Sequence, residues 1–516
     1  RTDEEKLGFV ELMENKLKFQ FSNENEKLFV VHRLDKDTSE LLVFARNKEA
    51  ASKMSLAFAA HKIKKEYLFV TDKKHPDTKQ ESFVIESHIE KKGPHFISHA
   101  EKPNNSKTQF VQLKETKTHT LWQALPHTGK PHQIRLHAQA AGIPILGDLA
   151  HGGSPFVRLC LHAKTLNWPD YQGDDLLIQS PSPFWVEDLE SLNESVYSQV
   201  MSAIEYRLAL FDLANYPTLR LSHSESPDWT IDKLGEVGWI HWFKNEIPPP
   251  TIQSQFAKAF NKIGLYQWHL RTKPKSGAPQ SLYCGPENWQ AKEHGISFYF
   301  KTNCGQAPGL FLDQRANRNW VRQNSQGKAV LNLFAYTSGF SLAAALGGAK
   351  QTTSVDSNAS FIQWSKENFL LNGLNVDSHE FWVADTFLYL KGAIKREKKF
   401  DLIVCDPPSF SRSKQGVFSI EKDIENLVEL MAQVLSEQGC LLLSTNFEGW
   451  NRLDFQNRIQ PHAKRLRLAI APSPSQDLDF EPPNSETVMK SLALVHAPKS
   501  VEKSVNKNSF TRKIGW

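Results

Sequence analysis

The chain is poor in cysteine. Its five cysteines, Cys160, Cys284, Cys304, Cys405 and Cys440, are odd in number, widely separated and without a CxxC pair. No zinc or dithiol redox motif is spelled out, and a reducing cytoplasm is the expected setting. Long apolar runs are missing too: none approaches the roughly 18 residues a membrane span requires. The opening RTDEEKLGFVELMENK is acidic rather than basic and then apolar, so neither a bilayer nor a secretory route is expected. Repeats and low-complexity tracts are absent. Neither sign of charge dominates, since 62 Lys and Arg stand against 57 Asp and Glu; the net +5 permits a nucleic-acid partner without demanding one.

What is present is a globular composition, 40% hydrophobic and 23% charged, in 516 residues; at about 150 residues each, that length predicts three or four domains. Up to about residue 175, short β-rich runs (KLFVVHRL, ELLVFAR, KKEYLFVTD, THTLWQAL, RLCLHAKTLNW) predict a mainly β, mixed α+β domain. A helical linker is expected over 176–215, where apolar residues recur at helical spacing. A small accessory α+β domain follows over 216–320, with strand-like GWIHWF and ISFYFK. From 321 to 498 strands alternate with helices: AVLNLFAY, SLAAALGG, QTTSVD, SFIQWSKENFLLNG, EFWVAD, FDLIVCD, ENLVELMAQVLSE, GCLLLSTN. The expected fold class is therefore α/β and multidomain, ending in a doubly wound, Rossmann-like parallel sheet. HKIKKEY and the tail 499–516 are the densest basic stretches, and solvated surface is their plain reading.

In VVHRLDKDTSELL an apolar strand delivers His32, Arg33, Leu34 and Asp35 at its end. Alone, an ion pair or an Asx turn at Asp35 is the simpler reading. Downstream, however, stands HTGKPHQIRLHAQAAGIPILGD (127–148), with KKEYLFV between. Together these resemble the RluA-type pseudouridine synthases, whose order HRLDxxTSGLL, K-x-Y, TGRxHQIRxH, GxPIxGD is kept here as HRLDKDTSELL, KKEYLFV, TGKPHQIRLH and GIPILGD. The resemblance implies isomerisation of uridine: the bond from uracil N1 to ribose breaks, the base turns, and it rejoins through C5. It implies Asp35 as the carboxylate set against the sugar and Arg135 as its partner, a neighbour that favours the ionised form. It further implies Tyr67 as the ring that stacks on uracil and helps remove the C5 proton, and Arg33 as the side chain filling the space left by the extruded base. Lys130, His132 and Gln133 are expected at the RNA. The chain departs from the pattern at Glu40 (usually Gly) and Lys130 (usually Arg). The family's strand and K-P-x-G segment before HRLD are missing, so the chain is expected to begin inside this domain.

The second constellation sits on the alternating region. AVLNLFAYTSGF runs into a glycine-containing turn and a helix, placing a ligand at the strand's carboxyl end. The next strand ends at Asp356, 17 residues after Gly339 and placed for ribose hydroxyls. The third ends at Asp385, placed for an adenine, and the fourth at DPPSF (406–410). A nicotinamide dehydrogenase, the runner-up, lacks GxGxxG and gives no reason for DPPSF. Four such strand ends are similar to a class I S-adenosylmethionine methyltransferase. GLFLDQRANR, FDLIVCDPPSFSRSK and SQDLDF narrow the resemblance to the RlmK type, which methylates guanine N7 of large-subunit ribosomal RNA, and its RlmI-type relatives, which make 5-methylcytosine. The implied cofactor, S-adenosylmethionine, would be held by Gln314, Arg315, Asn332, Phe334, Tyr336, Thr337, Gly339, Asp356, Asp385, Thr386, Asp406 and Pro407. Cytosine C5 chemistry needs a Cys thiolate, and LLLSTNFEGW offers Ser444, Thr445 and Asn446 instead. Cys405 reads as core. Guanine N7 is a lone-pair nucleophile that needs positioning and no base; Asn446 and Phe410 are the candidates to hold it. Ser338 replaces a common Gly, and Phe447-Glu448 stand where the RlmK type has Lys-Arg.

The expectation is a fused enzyme acting on structured RNA, ribosomal RNA first, without a metal or a membrane. Two alternatives stay open: an amino-terminal half that only binds RNA, and a methyltransferase of protein or small molecules.

Overall fold

The computed structural model describes residues 10–11, 13–14, 17 and 27–497 except 36, 40, 73–80, 100, 172, 275–276, 304–306, 414–415 and 481–488; Glu40, Cys304 and the basic tail lie outside the described residues. The chain divides into two compact units, 1–206 with 250–259, and 207–249 with 260–516. Among the described residues, no helix is long and apolar enough to cross a membrane.

The first unit is built on a seven-stranded antiparallel sheet. Its order is His95–His99, Ser82–Lys92, Ser106–Glu115, His119–Pro126, Lys64–Asp72, Leu161–Tyr171, Asp174–Gln179. The aromatic and β-branched residues of KKEYLFVTD suit a buried position, and Phe69 and Val70 are fully covered. Phe69 meets Phe110 edge-on at 5.7 Å and stacks on Trp122 at 6.4 Å, and helix Gln133–Ala140 seals this core with Ile134 and Ala138. Two expectations are corrected here. Strand Leu161–Tyr171 pairs antiparallel with Asp174–Gln179, Gly173 standing at φ 97°, so the sheet continues past the boundary placed near 175. Among the described residues, the runs around HRLD form a two-residue pairing, Phe29–Val30 with Phe44–Ala45, and an isolated bridge from Ser39 to His162, and Asp35 sits in a loop rather than at the end of a long strand. That loop is pinned by Ser39, whose N–H donates to the Leu161 carbonyl and whose hydroxyl lies 3.0 Å from His162 Nδ1.

Among its described residues the second unit holds an accessory sheet, a larger sheet and two two-stranded pairings, one of them Phe410–Ser413 with Gly416–Ser419. The accessory sheet has five strands, Thr218–Ser222, Trp229–Leu234, Val237–Trp242, Gln267–Thr272 and Ser281–Cys284, with one parallel pair at its centre. The hairpin Asn288–Glu293/Ile296–Lys301 packs Trp289, Phe298 and Phe300 against Trp239. In the larger sheet the order is Glu380–Val383, Gln351–Asp356, Ala329–Leu333, Phe400–Cys405, Leu435–Thr445, Lys490–His496, Leu468–Ala471. All pairings among the first five strands are parallel; Lys490–His496 runs antiparallel to both neighbours. The apolar runs VLNL, LIVC and LLLS are buried as a sheet covered on both faces demands. Strand order reverses between Ala329–Leu333 and Phe400–Cys405, which opens a crevice at their carboxyl ends.

Candidate active sites

One cleft of about 480 Å³, its open mouth included, gathers Arg33, Leu34, Asp35, Thr38, Lys65, Tyr67, Pro126, Thr128, Gly129, Lys130, Gln133, Ile134 and Leu161. Three chain-distant motifs thus meet: the HRLD loop, the K-x-Y strand and the TGKPHQIR turn. Arg33 and Lys130 are exposed at its rim, and Tyr67 is half-buried. Burial, and after it the Asp35 charge, pushes the Tyr67 hydroxyl well above its ordinary value, so the ring is a neutral phenol at pH 7. The Lys65 amine, lowered by burial, would lie 3.2 Å from a side chain at Gly129, which explains a glycine at that spot.

Behind the cleft runs a polar chain that corrects the expected pairing of Arg135. Its guanidinium fork closes on Asp148, Nε to Oδ2 and Nη2 to Oδ1 both at 2.6 Å, rather than on Asp35. The cause is burial. Asp148 has no exposed side-chain surface and requires a countercharge, whereas Asp35 is half-open to water. Asp35 acts on Arg135 only at longer range. Burial alone would raise the Asp148 carboxyl, but hydrogen bonds from Arg135 and from His151 Nδ1, 2.9 Å away, hold it well below the usual range. His151 Nε2 in turn lies 3.3 Å from His132 Nδ1. His132 takes φ 55°, and its backbone N–H lies 3.4 Å from Asp35 Oδ1. Its imidazole therefore faces His151, away from the residues that line the cleft. Gln133 borders the cleft but is 3% exposed, and its amide serves Thr128, the Lys130 N–H, the Lys107 carbonyl and Thr108. Gly147, at φ 85°, has the Arg158 carbonyl oxygen 1.9 Å from where a Cβ would stand, which accounts for the GD pair. His151 and His162 escaped sequence reading; the Asp148-x-x-His151 spacing was the available signal.

Because Asp148 is ion-paired and fully covered, Asp148→Ala strands a mostly buried guanidinium and should destabilise the first unit by about 3 kcal/mol, measured by urea denaturation. The folded carboxyl is depressed, so the pair's contribution is complete above the unfolded value of about 4 and is lost as pH falls toward the folded one.

In the second unit, Asp356 ends its strand half-buried, Oδ2 accepting from Tyr336 N–H at 2.8 Å and Oδ1 from Asn358 N–H at 2.9 Å. Phe334, Tyr336 and Ser338 all have positive φ, a contorted turn that aims backbone N–H groups at the strand ends. Asp385 caps helix Thr386–Lys395, accepting from Phe387 and Leu388 N–H. Asp406 accepts from Ser444 Oγ at 3.0 Å and is pushed up to about 7, first by burial and then by Asp313. Phe410 is 55% exposed, and Asn446, the residue after strand Leu435–Thr445, is exposed as well.

Several other expected cofactor contacts bond within the protein. Arg315 is buried on Asp479 and Asp477, with Thr218 O accepting from Nη2. Gln314 donates to Ser444 Oγ and accepts from Asn317. Asn332 donates to Ser341, and Thr337 to the Gly309 carbonyl. The Tyr336 hydroxyl donates to Ala307 O, and Phe334 packs on Phe418 at 5.5 Å. Thr386, Pro407 and Gly339 are buried; a Cβ on Gly339 would meet Leu310 and Arg318 at 3.2 and 3.3 Å. Among the described residues, no group of three or more His, Cys, Asp or Glu is disposed to hold a metal ion.

A doubly wound sheet of this order, with acidic residues at successive strand ends, defines a class I methyltransferase. The S-adenosylmethionine-dependent methyltransferase family model matches residues 256–455, and the RNA pseudouridylate synthase model matches 11–140. The putative ribosomal RNA large subunit methyltransferase YwbD of Bacillus subtilis is 41% identical over 286 residues, 52% of this chain and 71% of its own length. The ribosomal RNA large subunit methyltransferase K/L of Acinetobacter baylyi is 48% identical over 258 residues, 45% of this chain and 34% of its own; the chain spans about a third of such K/L relatives. The crystal structure of SMU.776, a putative methyltransferase complexed with SAH, is 27% identical with a TM-score of 0.54, over 64% of this chain and 88% of that one. The chain belongs to this large-subunit methyltransferase family and carries in its first unit a domain of the pseudouridine synthase type. Its cofactor is S-adenosylmethionine.

Proposed function

We propose that the chain modifies structured, ribosomal RNA twice, forming pseudouridine in the first unit and methylating a base, preferably guanine N7, in the second. One observation carries the first activity: Asp35, neutral Tyr67 and the rim cations Arg33 and Lys130 line one cleft. A uridine turned out of its helix would stack on Tyr67, with its phosphates at the rim and its anomeric carbon toward Asp35. The Asp148–His151–His132 chain would keep the His132 N–H on the Asp35 carboxylate. A first unit that only holds RNA is the second reading, favoured by Arg135 being turned to Asp148 instead of Asp35. Mapping pseudouridine after incubation with ribosomal RNA tests it; product that vanishes in Asp35→Ala supports the enzyme, and no product rejects it.

For the second unit, Asp356 would hold the cofactor's ribose, Asp385 its adenine side and Asp406 would border the cofactor too, while Asn446 and Phe410 would border the acceptor base. When bound, the sulfonium donates its methyl to a nucleophile held in line. Guanine N7 is favoured because the cysteine at these strand ends, Cys405, is fully buried, and burial and then Asp406 push its thiol well above the ordinary value. It cannot attack cytosine C6. Stacking on an aromatic ring is worth about 1–3 kcal/mol per base, so Phe410→Ala should raise KM for RNA about tenfold while leaving cofactor affinity unchanged. Tritium transferred from the cofactor that survives ribonuclease would point instead to a protein or small-molecule acceptor.

A further inference from the structure

Among the described residues, three cations line the cleft of the first unit: Arg33, Lys65 and Lys130. Arg33 and Lys130 are exposed at the rim, where water screens them, whereas Lys65 is half-buried. Lys65 and Tyr67 stand two apart on strand Lys64–Asp72, so their side chains leave the same face, and both reach the cleft. Between them Glu66 leaves the other face, where it accepts from Gln123 Nε2 at 2.6 Å and from Thr165 Oγ1 at 3.1 Å. The carboxylate next in sequence is thus engaged away from Lys65.

The ammonium itself lies beside the TGKPHQIR turn, 3.2 Å from where a Cβ on Gly129 would stand. Among the described residues, no carboxylate or carbonyl accepts a hydrogen bond from it. Burial lowers the amine, and no neighbouring carboxylate raises it back. Its charge is felt at His32, whose imidazole is lowered to about 4 by burial first and by Lys65 second. His32 is therefore neutral and accepts from the Val43 N–H at 2.9 Å. Arg135, behind the cleft, is closed on Asp148. Lys65 is thus a cation withdrawn from water, facing a cleft that is to receive a nucleotide.

Such a charge gains most when a negative charge forms beside it. Breaking the bond from ribose C1′ to uracil N1 does this: the electron pair of the bond goes to N1 and spreads to the carbonyl oxygens O2 and O4. No proton is taken up, so the detached base is a monoanion, while the sugar carbon is met by the Asp35 carboxylate. When C5 then bonds to C1′, the C5 proton leaves and N1 takes one up, so the sum is an isomerisation that needs no co-reactant.

We infer that Lys65 is a catalytic residue of the first unit, its ammonium donating to a carbonyl oxygen of the uracil anion while the base is detached. This rests on the reading that the first unit isomerises uridine. A donor fixed beforehand in a water-poor site stabilises forming charge without reorganising, and it favours the detached anion over the uncharged base that was bound. The same attraction retains the anion while it turns.

The test uses the full chain and a large-subunit ribosomal RNA fragment, with pseudouridine followed in single turnovers over a range of chain concentrations. Lys65→Met keeps an unbranched stem and removes the charge. Its maximal rate should fall about a hundredfold, the scale on which losing one fixed donor to a forming anion acts. The half-saturating concentration, methyl transfer and the urea denaturation midpoint should stay as in the parent chain. Lys65→Arg, which restores the charge, should run well above Lys65→Met. A Lys65→Met rate equal to the parent's overturns the assignment and leaves the isomerase reading in place. A loss confined to half-saturation also overturns it, since Lys65 would then grip phosphate in the ground state. So does a Lys65→Arg rate as low as that of Lys65→Met, which would assign packing instead of charge. Absence of pseudouridine from the parent chain removes both the assignment and the reading.

Discussion

Pseudouridine formation in Asp35→Ala should fall by at least a factor of about a thousand, the scale on which removing a reacting carboxylate acts. Methyl transfer by the same chain should be unchanged. The contrast with Asp148 makes this informative. Asp148 is fully covered and holds both Arg135 and His151, so its loss acts through folding. Asp35 is half-open, and among the described residues its carboxylate takes a long contact from the His132 N–H at 3.4 Å. Removing it strands no buried charge, so surface loop energetics apply and the unit's stability should move by less than about 1 kcal/mol. A large loss of product with an unaltered denaturation curve assigns chemistry to Asp35. Equal losses of product and stability would assign it a structural part. Asp35→Asn, which keeps the shape and the acceptor but not the charge, should be as inactive as alanine.

Much of this site was legible in the residues because it is local. HRLD, K-x-Y and HQIR are contiguous signatures, and the strand and helix that carry the last two follow their own periodicity, so the meeting of Asp35, Tyr67 and Lys130 in one cleft follows once the sheet closes. The partner of Arg135 was not legible, because two aspartates compete for it and only burial decides; nothing in GIPILGD announces that its carboxyl is dry. Gln133 and His132 illustrate the same limit. A motif fixes which residues gather, while the direction each side chain takes depends on the neighbours' unmet donors. In the second unit the alternation of strands and helices announced the sheet, but polar residues such as Gln314, Arg315 and Asn332 face inward, and SQDLDF supplies the counterions of Arg315 from more than 150 residues away. Ser338, at φ 61°, occupies a position suited to glycine and is held by its bond to Ser365, another tertiary contact that no local pattern states.

The second large effect is expected at Asp356. Its two oxygens each accept a backbone N–H, from Tyr336 and Asn358, which uses half of a carboxylate's acceptor capacity and fixes the plane of the group at the strand end. The remaining lone pairs suit a ribose diol. Hydrogen bonds to a charged acceptor are worth about 1.5–3 kcal/mol each, so losing two should weaken cofactor binding about a hundredfold or more in Asp356→Ala, measured by calorimetry. Asp356→Asn keeps one acceptor and should fall between alanine and the parent chain. The sign with pH follows from burial, which raises this carboxyl above its ordinary value against the pull of the backbone N–H groups. The diol is held by the ionised form, so affinity is full above the folded value and declines as pH falls through it, beginning at a higher pH than an exposed aspartate would allow. Affinity that stays level in both variants, or that rises on acidification, would place the cofactor's ribose elsewhere along the crevice.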